Sequence, residues 1–385
     1  MEKIRTRFAP SPTGYLHIGG LRTALFSYLW AKKNKGEFII RIEDTDQERL
    51  IVDADKQLID TLAKVGISSD TEIKHQSGRL KLYAKASDKL LNDSNAYRCF
   101  CSPERLDKVR NEQQKNKQVP RYDRYCLNLP KEEIDKNIKT GQKFVLRFRI
   151  PDNEIVAGED TVYGKISVKS DDLDDFVIMK SNKFPTYHLA NVIDDYDMKT
   201  SHVIRGEEWL PSLPKHKLLY DALEYKLPIF IHLPLLLNPD KSKLSKRQGD
   251  VAVEDFLAKG YLPQALLNYL ALLGWNPGND QELFSLQELI KTFNTKQINK
   301  AGAIFDLQKL NWFNAEYIRN IIKSGGDDYK NLVKLTSDFV ENKTEEVLKL
   351  FGTRINNLEE LKELSSFLWQ LPENPGKLLL FKKSD

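Results

Sequence analysis

The sequence predicts an α/β fold in which a parallel sheet is interrupted by an inserted α+β segment and followed by an all-helical region. Residues 1–75 alternate between strand-like apolar segments and amphipathic helical segments, the order that builds a parallel sheet. The composition of residues 76–185 is more polar and basic, and the alternating strand and helix patterns resume near residue 186. From residue 251 onward the periodicity is helical.

The first half of the sheet is predicted from four consecutive segments. These are a strand over 4–8, a helix near 20–33, a strand over 38–42 and a helix near 53–65. Ligands of parallel sheets bind beyond the carboxyl ends of the strands. Arg7, Ser11 and Glu43 fall at the ends of the two predicted strands, so we expect them to line a binding site.

The predicted domain boundaries are placed where the composition and the periodicity of the sequence change. The sheet resumes with a helix over 186–194 and strands over 202–205 and 229–232, and Gly325 and Gly326 mark a later boundary. The predicted units are a Rossmann-like domain over 1–75 and 186–242, an insertion over 76–185, a loop and helical domain over 243–324, and a helical segment over 325–385.

Composition excludes several classes of protein. With 41% hydrophobic and 30% charged residues the chain is an ordinary globular protein. No apolar run reaches the ~20 residues of a membrane helix, and the first residues do not resemble a signal peptide, so we expect a cytoplasmic protein without a membrane partner. Three cysteines form no disulfide framework. The net charge of +4 neither requires nor excludes a polyanionic partner.

A loop over 7–20 carries the first chemical motif. It reads Arg-Phe-Ala-Pro-Ser-Pro-Thr-Gly-Tyr-Leu-His-Ile-Gly-Gly and joins the first strand to the first helix. Its prolines keep the chain extended, while Gly14, Gly19 and Gly20 let a nucleotide approach the backbone. The imidazole of His17 and the amides at the helix start can donate to phosphate oxygens. The loop therefore predicts a phosphate-binding turn.

The second motif is a polar loop over 243–247, Lys-Leu-Ser-Lys-Arg, which follows the apolar run 231–237. Lysine suits a phosphate that moves during a reaction, because it is a point charge on a flexible stem. A surface Lys-Ser cluster alone is usually only a solvated loop. Its position after the closing strand instead favours a phosphate clamp made by Lys243, Ser245 and Lys246.

The two motifs, in this order, resemble those of class I aminoacyl-tRNA synthetases. Four further segments are similar to the bacterial-type glutamyl-tRNA synthetases: Arg7 with Ala-Pro-Ser-Pro-Thr-Gly at 9–14, Arg-Ile-Glu-Asp-Thr-Asp at 41–46, Tyr-His-Leu-Ala-Asn at 187–191 and Val-Ile-Arg-Gly-Glu-Glu-Trp at 203–209. Glutaminyl relatives typically carry Phe-Asp-Asp-Thr-Asn where this chain has 42–46, so the resemblance favours the glutamyl branch.

This resemblance implies a glutamate–tRNA ligase. Such an enzyme uses ATP, with Mg²⁺, to activate L-glutamate as an adenylate, and transfers the glutamyl group to the 2′-hydroxyl of the terminal adenosine of tRNA(Glu), with tRNA(Gln) as a second candidate acceptor. It implies that 76–185 holds the tRNA acceptor end, that 243–324 contacts the tRNA stem, and that 325–385 is part of an anticodon-binding region. A monomer is expected.

The resemblance also assigns candidate site residues. They are Arg7, Ala9, Ser11, Glu43, Tyr187, Asn191 and Arg205 for glutamate; Pro10, His17, Gly19, Gly20, Glu208 and Lys246 for ATP; and His17, Lys243, Ser245 and Lys246 for catalysis. Chemistry supports the arginines, because a guanidinium pairs with a carboxylate through two parallel hydrogen bonds. Tyr187 and Asn191 are four residues apart, so on a helix they share one face.

Cys99, Cys101 and Cys126 repeat most of a zinc pattern, Cys-x-Cys-x24-Cys-x-His, that some glutamyl enzymes carry. The fourth position is Asn128, whose amide is a poor zinc ligand. Two alternatives stay open. Either the site is degenerate and has three free thiols, or zinc is completed by Tyr122, Asp123, Tyr125 or a water.

Two other functions are weighed against the ligase. A shortened paralogue that glutamylates a modified tRNA base tends to have a decayed lysine loop. A non-catalytic tRNA-binding relative would have lost His17 or Lys246. The sequence keeps both residues and the whole lysine loop, which favours the ligase.

Overall fold

The structure is a computed structural model that describes residues 3–244 and 251–369. The strands in these ranges are β1 Arg5–Phe8, β2 Glu37–Ile42, β3 Lys74–His75, β4 Ala96–Cys99, β5 Val145–Phe148, β6 Ile155–Asp160, β7 Gly164–Lys169, β8 Val177–Met179, β9 His202–Gly206, β10 Ile229–Leu233, β11 Leu236–Leu237 and β12 Ala303–Ile304. The helices are α1 Ile18–Lys33, α2 Ala54–Lys64, α3 Leu80–Asn92, α4 Pro103–Lys115, α5 Lys131–Lys139, α6 Tyr187–Asp197, α7 Leu213–Leu223, α8 Val253–Ala258, α9 Pro263–Leu272, α10 Leu286–Thr292, α11 Leu307–Ser324, α12 Gly326–Thr336, α13 Thr344–Phe351 and α14 Glu360–Ser365.

A seven-stranded sheet in the order β3-β2-β1-β9-β10-β6-β7 forms the centre of the molecule. β1 pairs in parallel with β2 on one side and with β9 on the other, and β9 pairs in parallel with β10. The predicted parallel sheet is confirmed. Because the chain leaves β1 for β2 and returns to the opposite side of β1 as β9, a crevice opens beyond the carboxyl end of β1.

The hairpin of β6 and β7 differs from the sequence prediction. Both strands fall inside the predicted insertion 76–185, yet β6 joins the large sheet beside β10 through a parallel pairing of Asp160 with Phe230. The antiparallel strand β7 covers the sheet edge and is mostly exposed. Alternation within a strand, such as that of Ile166 and Val168 in β7, indicates which face packs but not which strand is its partner, so the local sequence gives no signal of this pairing. The predicted domain boundaries as a set stay a prediction.

Helix α1 packs against β1 and β2 and begins directly below the crevice. Ile18, Leu21, Leu25 and Leu29 recur at helical spacing and are fully buried. The helix starts at Ile18, earlier than predicted, because His17 caps it: its Nδ1 accepts a hydrogen bond of 2.9 Å from the amide of Gly19. The first turn of the helix is thereby aimed at the predicted site.

A smaller antiparallel sheet of β4, β5 and β8 packs with α3, α6 and α7 around a second apolar core. Further along the chain, α9 and α11 to α14 enclose a third core that includes Leu332, Val347 and Leu348. Gly325 follows the last residue of α11 and Gly326 begins α12, with φ of 67° and 74°, a conformation that glycine adopts without strain. None of the helices within 3–244 and 251–369 is long and apolar enough to cross a membrane.

Candidate active site

A cavity of about 580 Å³ opens at the carboxyl ends of β1, β2 and β9. It brings together all seven residues predicted to bind glutamate and three of those predicted to bind ATP. They are Arg7, Ala9, Ser11, Glu43, Tyr187, Asn191 and Arg205, with Gly19, Gly20 and Glu208. Pro10 is not among its lining residues in the described part of the chain. The carbonyl of Pro10 instead accepts a hydrogen bond of 2.9 Å from the amide of Glu43, and so joins two walls of the cavity.

A second cavity of about 290 Å³ adjoins the first. The residues that line both are Gly19, Gly20, Thr23, Gly206 and Glu208. His17 and Lys243 also line the second cavity, so residues from both sequence motifs border one space. Ser245 and Lys246 lie outside the described residues.

Backbone hydrogen bonds tie the two motif loops together. At the start of the lysine loop, the amide of Leu244 donates to the carbonyl of Leu236 at 3.0 Å. After it, the amide of Ile18 donates to Val251 at 2.9 Å, and the amide of residue 253 returns to residue 16 at 2.8 Å. Because Nδ1 of His17 accepts a backbone hydrogen bond, the proton of the neutral ring is on Nε2. Nε2 is thus the donor atom of the neutral His17 ring.

Five buried charged groups form a network below the first cavity, in which the carboxylate of Asp194 lies 3.8 Å from Nε of Arg41. Nε of Arg7 lies 3.0 Å from Asp195, and Arg41 lies 2.6 Å from the same Asp195 carboxylate. Arg41 also lies 3.0 Å from Oε1 of Glu43, and Asn191 donates to this oxygen at 3.1 Å. Burial raises the pKa of Glu43, although Arg41 opposes the shift. Burial also favours a raised pKa for Asp195, but the two guanidinium groups outweigh burial and hold that pKa below its usual value.

Sequence reasoning missed Asp195, although one signal could have found it. Tyr187, Asn191 and Asp195 follow one another at steps of four on α6, so they share one helix face. One further helical turn beyond Tyr187 and Asn191 leads to Asp195, whose carboxylate neutralises Arg7.

Arg205 differs from Arg7 in the chemistry of its partners. Its guanidinium donates to the hydroxyl of Tyr187 at 2.9 Å, to Nε2 of His232 at 3.0 Å, to Nδ1 of His216 at 3.3 Å and to the carbonyl of Trp209 at 3.4 Å. Every one of these acceptors is uncharged. Among the described residues no carboxylate pairs with Arg205, which is only 5% exposed. The positive charge of Arg205 is therefore available to a ligand in the cavity.

Comparison with known proteins decides the family. Residues 3–312, well over half of the chain, match the family model of the class I tRNA synthetases (E and Q), catalytic domain. The chain belongs to this family. The family's amino acids, glutamate and glutamine, both carry an α-ammonium and an α-carboxylate and differ in their side-chain ends.

Relatives of this synthetase are bacterial glutamate–tRNA ligases. It is 52% identical to the ligase of Prosthecochloris aestuarii over 82% of this chain and 66% of the relative, and 47% identical to that of Chlorobaculum parvum over 97% and 80%. The crystal structure of the Elizabethkingia meningosepticum glutamate tRNA ligase in complex with its amino acid matches with a TM-score of 0.86 and 36% identity, over 97% of this chain and 81% of that one. The chain thus spans about two thirds to four fifths of these relatives.

The three cysteines of the synthetase converge. The sulfur atoms of Cys99, Cys101 and Cys126 all lie within 4.8 Å of one another. The hydroxyl of Tyr122 lies 3.3 Å from the sulfur of Cys99 and 3.4 Å from that of Cys101. Asn128 is exposed, and its amide donates to a backbone carbonyl 3.4 Å away. Three thiolates fit zinc, and the hydroxyl oxygen of Tyr122 lies within 3.4 Å of two of the sulfur atoms.

The other two side chains considered as a fourth ligand have different partners. Asp123 accepts a hydrogen bond of 3.2 Å from Arg105, and the ring of Tyr125 lies 4.3 Å from the same guanidinium. Of the three protein alternatives left open by the sequence, the structure therefore favours Tyr122.

Proposed function

We propose that this chain is a glutamate–tRNA ligase that activates L-glutamate with ATP and transfers the glutamyl group to the 2′-hydroxyl of the terminal adenosine of tRNA(Glu). The observation that carries the proposal is the pair of adjoining cavities. One contains a buried arginine with uncharged partners, and the other is bordered by both phosphate-binding motifs. The relatives named glutamate–tRNA ligase favour this function over the two rivals.

Glutamate fits the larger cavity in one orientation. We assign its γ-carboxylate to Arg205, because the charge of Arg7 is already shared with Asp195. The α-ammonium then faces Glu43. In the described part of the chain both hydrogen bonds to this carboxylate use Oε1, so Oε2 is available to the ammonium. Tyr187 is positioned by Arg205 to border the substrate side chain.

ATP is assigned to the smaller cavity. The α-carboxylate oxygen of glutamate attacks the α-phosphorus in line, and the bond to the bridging oxygen breaks so that pyrophosphate leaves. His17 donates from Nε2 and the amides of Gly19 and Gly20 add the positive end of the helix dipole. Lys243 and Lys246 are assigned to the charge that develops on pyrophosphate. Mg²⁺ accompanies ATP and supplies further charge neutralisation.

Transfer completes the reaction. The 2′-hydroxyl oxygen of the terminal adenosine forms a bond to the glutamyl carbonyl carbon, the bond to the phosphate oxygen breaks, AMP leaves, and the hydroxyl proton is released to solvent. We assign the tRNA acceptor end to the region 76–185. We propose the cytoplasm as the compartment, because tRNA charging there supplies translation, and a monomer as the working state.

A charging assay tests the proposed function. Purified tRNA(Glu), ATP and labelled glutamate should give glutamyl-tRNA, and a parallel reaction with tRNA(Gln) shows whether that acceptor is used. Absence of charging on both tRNAs, together with glutamylation of a modified base within tRNA, would support the paralogue instead.

Lys246→Ala should lower the rate of adenylate formation by about 10²-fold, because the substitution removes a charge that acts mainly in the transition state. Single-turnover kinetics measure this rate, and glutamate affinity should change little. Lys349→Ala is the control, because Lys349 is exposed on α13 in an ion pair of 2.7 Å with Glu345. An unaltered rate in the Lys246 variant would contradict its phosphate-binding role.

Zinc should be held weakly by the cysteine cluster. A phenol is a poorer zinc ligand than imidazole or thiolate, so we expect well under one equivalent of zinc after mild chelation. Asn128→His should raise the zinc content measured by elemental analysis. Stoichiometric zinc in the unaltered protein that is lost in Tyr122→Phe would show that Tyr122 completes a tight site.

A further inference from the structure

Arg205 is held from behind by two buried histidines that the reaction itself does not use. His232 on β10 and His216 on α7 have no solvent-exposed surface. Nε2 of His232 faces Nε of Arg205, and Nδ1 of His216 faces Nη1. Because a guanidinium only donates, both of these ring nitrogens must accept. Each ring is therefore neutral, with its proton on the other nitrogen.

Asp160 imposes this tautomer on His232. Its Oδ2 lies 2.7 Å from Nδ1 of His232 and accepts a backbone hydrogen bond of 3.0 Å from the same residue. Its Oδ1 accepts from the amides of Val162 and Tyr163 at 2.9 Å and 2.8 Å. An acceptor surrounded by donors keeps the proton on Nδ1 of His232, which leaves a lone pair on Nε2 for Arg205.

His216 has a corresponding support. Its Nε2 lies 3.1 Å from Nδ1 of His188, so the proton on Nε2 has an acceptor. Burial lowers the pKa of His232, and the hydrogen bond to Asp160 opposes that shift without overcoming it. Burial also lowers the pKa of His216, and the neighbouring positive charge of Arg205 lowers it further. All contacts at the back of Arg205 are thus made by neutral rings at neutral pH.

The number of N–H donors of Arg205 that already have acceptors shows how firmly its orientation is fixed. A guanidinium has five N–H donors. In the described part of the chain, four of them have acceptors, which are His232, His216, Tyr187 and the carbonyl of Trp209. One donor on Nη2 remains, on an arginine that lines the glutamate cavity. The orientation of the group is fixed, and no carboxylate of the described residues contacts it directly.

We propose that His232, in the tautomer imposed by Asp160, is a positioning residue that directs Arg205 at the γ-carboxylate and thereby sets selectivity for glutamate over glutamine. This inference rests on the proposed function. A carboxylate at the place of His232 would fix Arg205 equally well but would cancel its charge, as Asp195 does for Arg7. A neutral acceptor is the solution that keeps the charge for the substrate.

Two matched substitutions separate the role of each ring nitrogen. Glutamine places an amide near the position of Nε2, so His232→Gln keeps an acceptor for Arg205. Asparagine places its amide near the position of Nδ1, so His232→Asn keeps a donor for Asp160 and loses the acceptor. We expect KM for glutamate within about threefold of the unaltered value in His232→Gln and raised about tenfold in His232→Asn, the factor that one hydrogen bond to a charged group supplies.

The pattern across substrates distinguishes positioning from a structural defect. In His232→Asn the preference for glutamate over glutamine should fall by a similar factor, while KM for ATP stays unchanged. Equal glutamate KM values in the Asn variant, the Gln variant and the unaltered enzyme would overturn the inference. Failure of the proposed function looks different, because the unaltered enzyme would then not charge tRNA with glutamate at all.

The tautomer can be observed without catalysis. Ring ¹⁵N chemical shifts of histidine-labelled protein at pH 7 should show His232 protonated on Nδ1 only, with its signals assigned by their absence from His232→Gln. In Asp160→Asn the side-chain amide can donate to Nδ1 of His232, so the ring proton should move to Nε2. There it would face an N–H donor of Arg205, and the hydrogen bond between the two side chains would be lost. If the unaltered protein carries the His232 proton on Nε2, or on both nitrogens, the inference is wrong even if the variants fold poorly.

Discussion

Arg205→Met should lower kcat/KM for glutamate by about 10³-fold, which corresponds to ~4 kcal/mol. The substitution removes the one cavity arginine that has no carboxylate partner among the described residues and leaves the substrate γ-carboxylate buried without a counter-charge. Truncating one partner of a buried charged pair costs about 2–5 kcal/mol, mainly because the other charge remains unpaired. Steady-state charging kinetics with varied glutamate measure the loss.

The size and chemistry of the replacement refine the Arg205 prediction. Arg205→Lys keeps the charge but loses the planar fork, so it should recover only part of the activity. Arg319→Met is the control, because Arg319 is partly exposed on α11 and pairs with Glu316 three residues before it. The unaltered enzyme should reject glutamine, whose neutral amide leaves Arg205 unpaired. Comparable charging of glutamate and glutamine by the unaltered enzyme would contradict the assignment of Arg205.

Asp195→Asn should lower the free energy of unfolding by about 3–5 kcal/mol. The carboxylate of Asp195 is 1% exposed and pairs with Arg7 and Arg41, whose guanidinium groups are themselves buried. The amide that replaces it cannot neutralise Arg7, which has no other carboxylate partner among the described residues and stays in a medium of low polarity, while Arg41 keeps Glu43 at 3.0 Å. Urea denaturation followed by circular dichroism measures the loss.

Asp197→Asn is the matched control for this prediction. Asp197 lies on the same helix, α6, and pairs with Arg79, but its side chain is 48% exposed. Removing an exposed ion pair costs about 0–1 kcal/mol. If the two variants lose equal stability, the buried network does not have the role that its geometry indicates.

The parallel sheet and most of the cavity wall could be predicted from the sequence. The apolar patterns of residues 4–8 and 38–42 give β1 and β2 directly, and the rule that parallel strands present their carboxyl ends together places Arg7 and Glu43 at one edge. The family motifs add Tyr187, Asn191 and Arg205, which the structure brings to the same cavity.

The supporting residues could not be predicted in this way. Asp160 and His232 are 72 residues apart in sequence and meet because β6 pairs with β10. The alternating burial of β6 identifies its inner face, but a local pattern does not identify the distant strand with which that face is aligned. The side chains that support Arg205 are therefore visible only in three dimensions.

The uncharged hydrogen-bond partners of Arg205 have a consequence for the amino acids that the cavity accepts. The buried guanidinium groups of Arg7 and Arg41 are paired with carboxylates, whereas the contacts of Arg205 in the described part of the chain include none. An amino acid with a side-chain carboxylate gives Arg205 a direct counter-charge, whereas a zwitterion such as glutamine leaves it without one. Discrimination between glutamate and glutamine then depends on the charge of the side chain before it depends on shape. Aspartate has the same charge but a shorter side chain, so only the length of the cavity can exclude it.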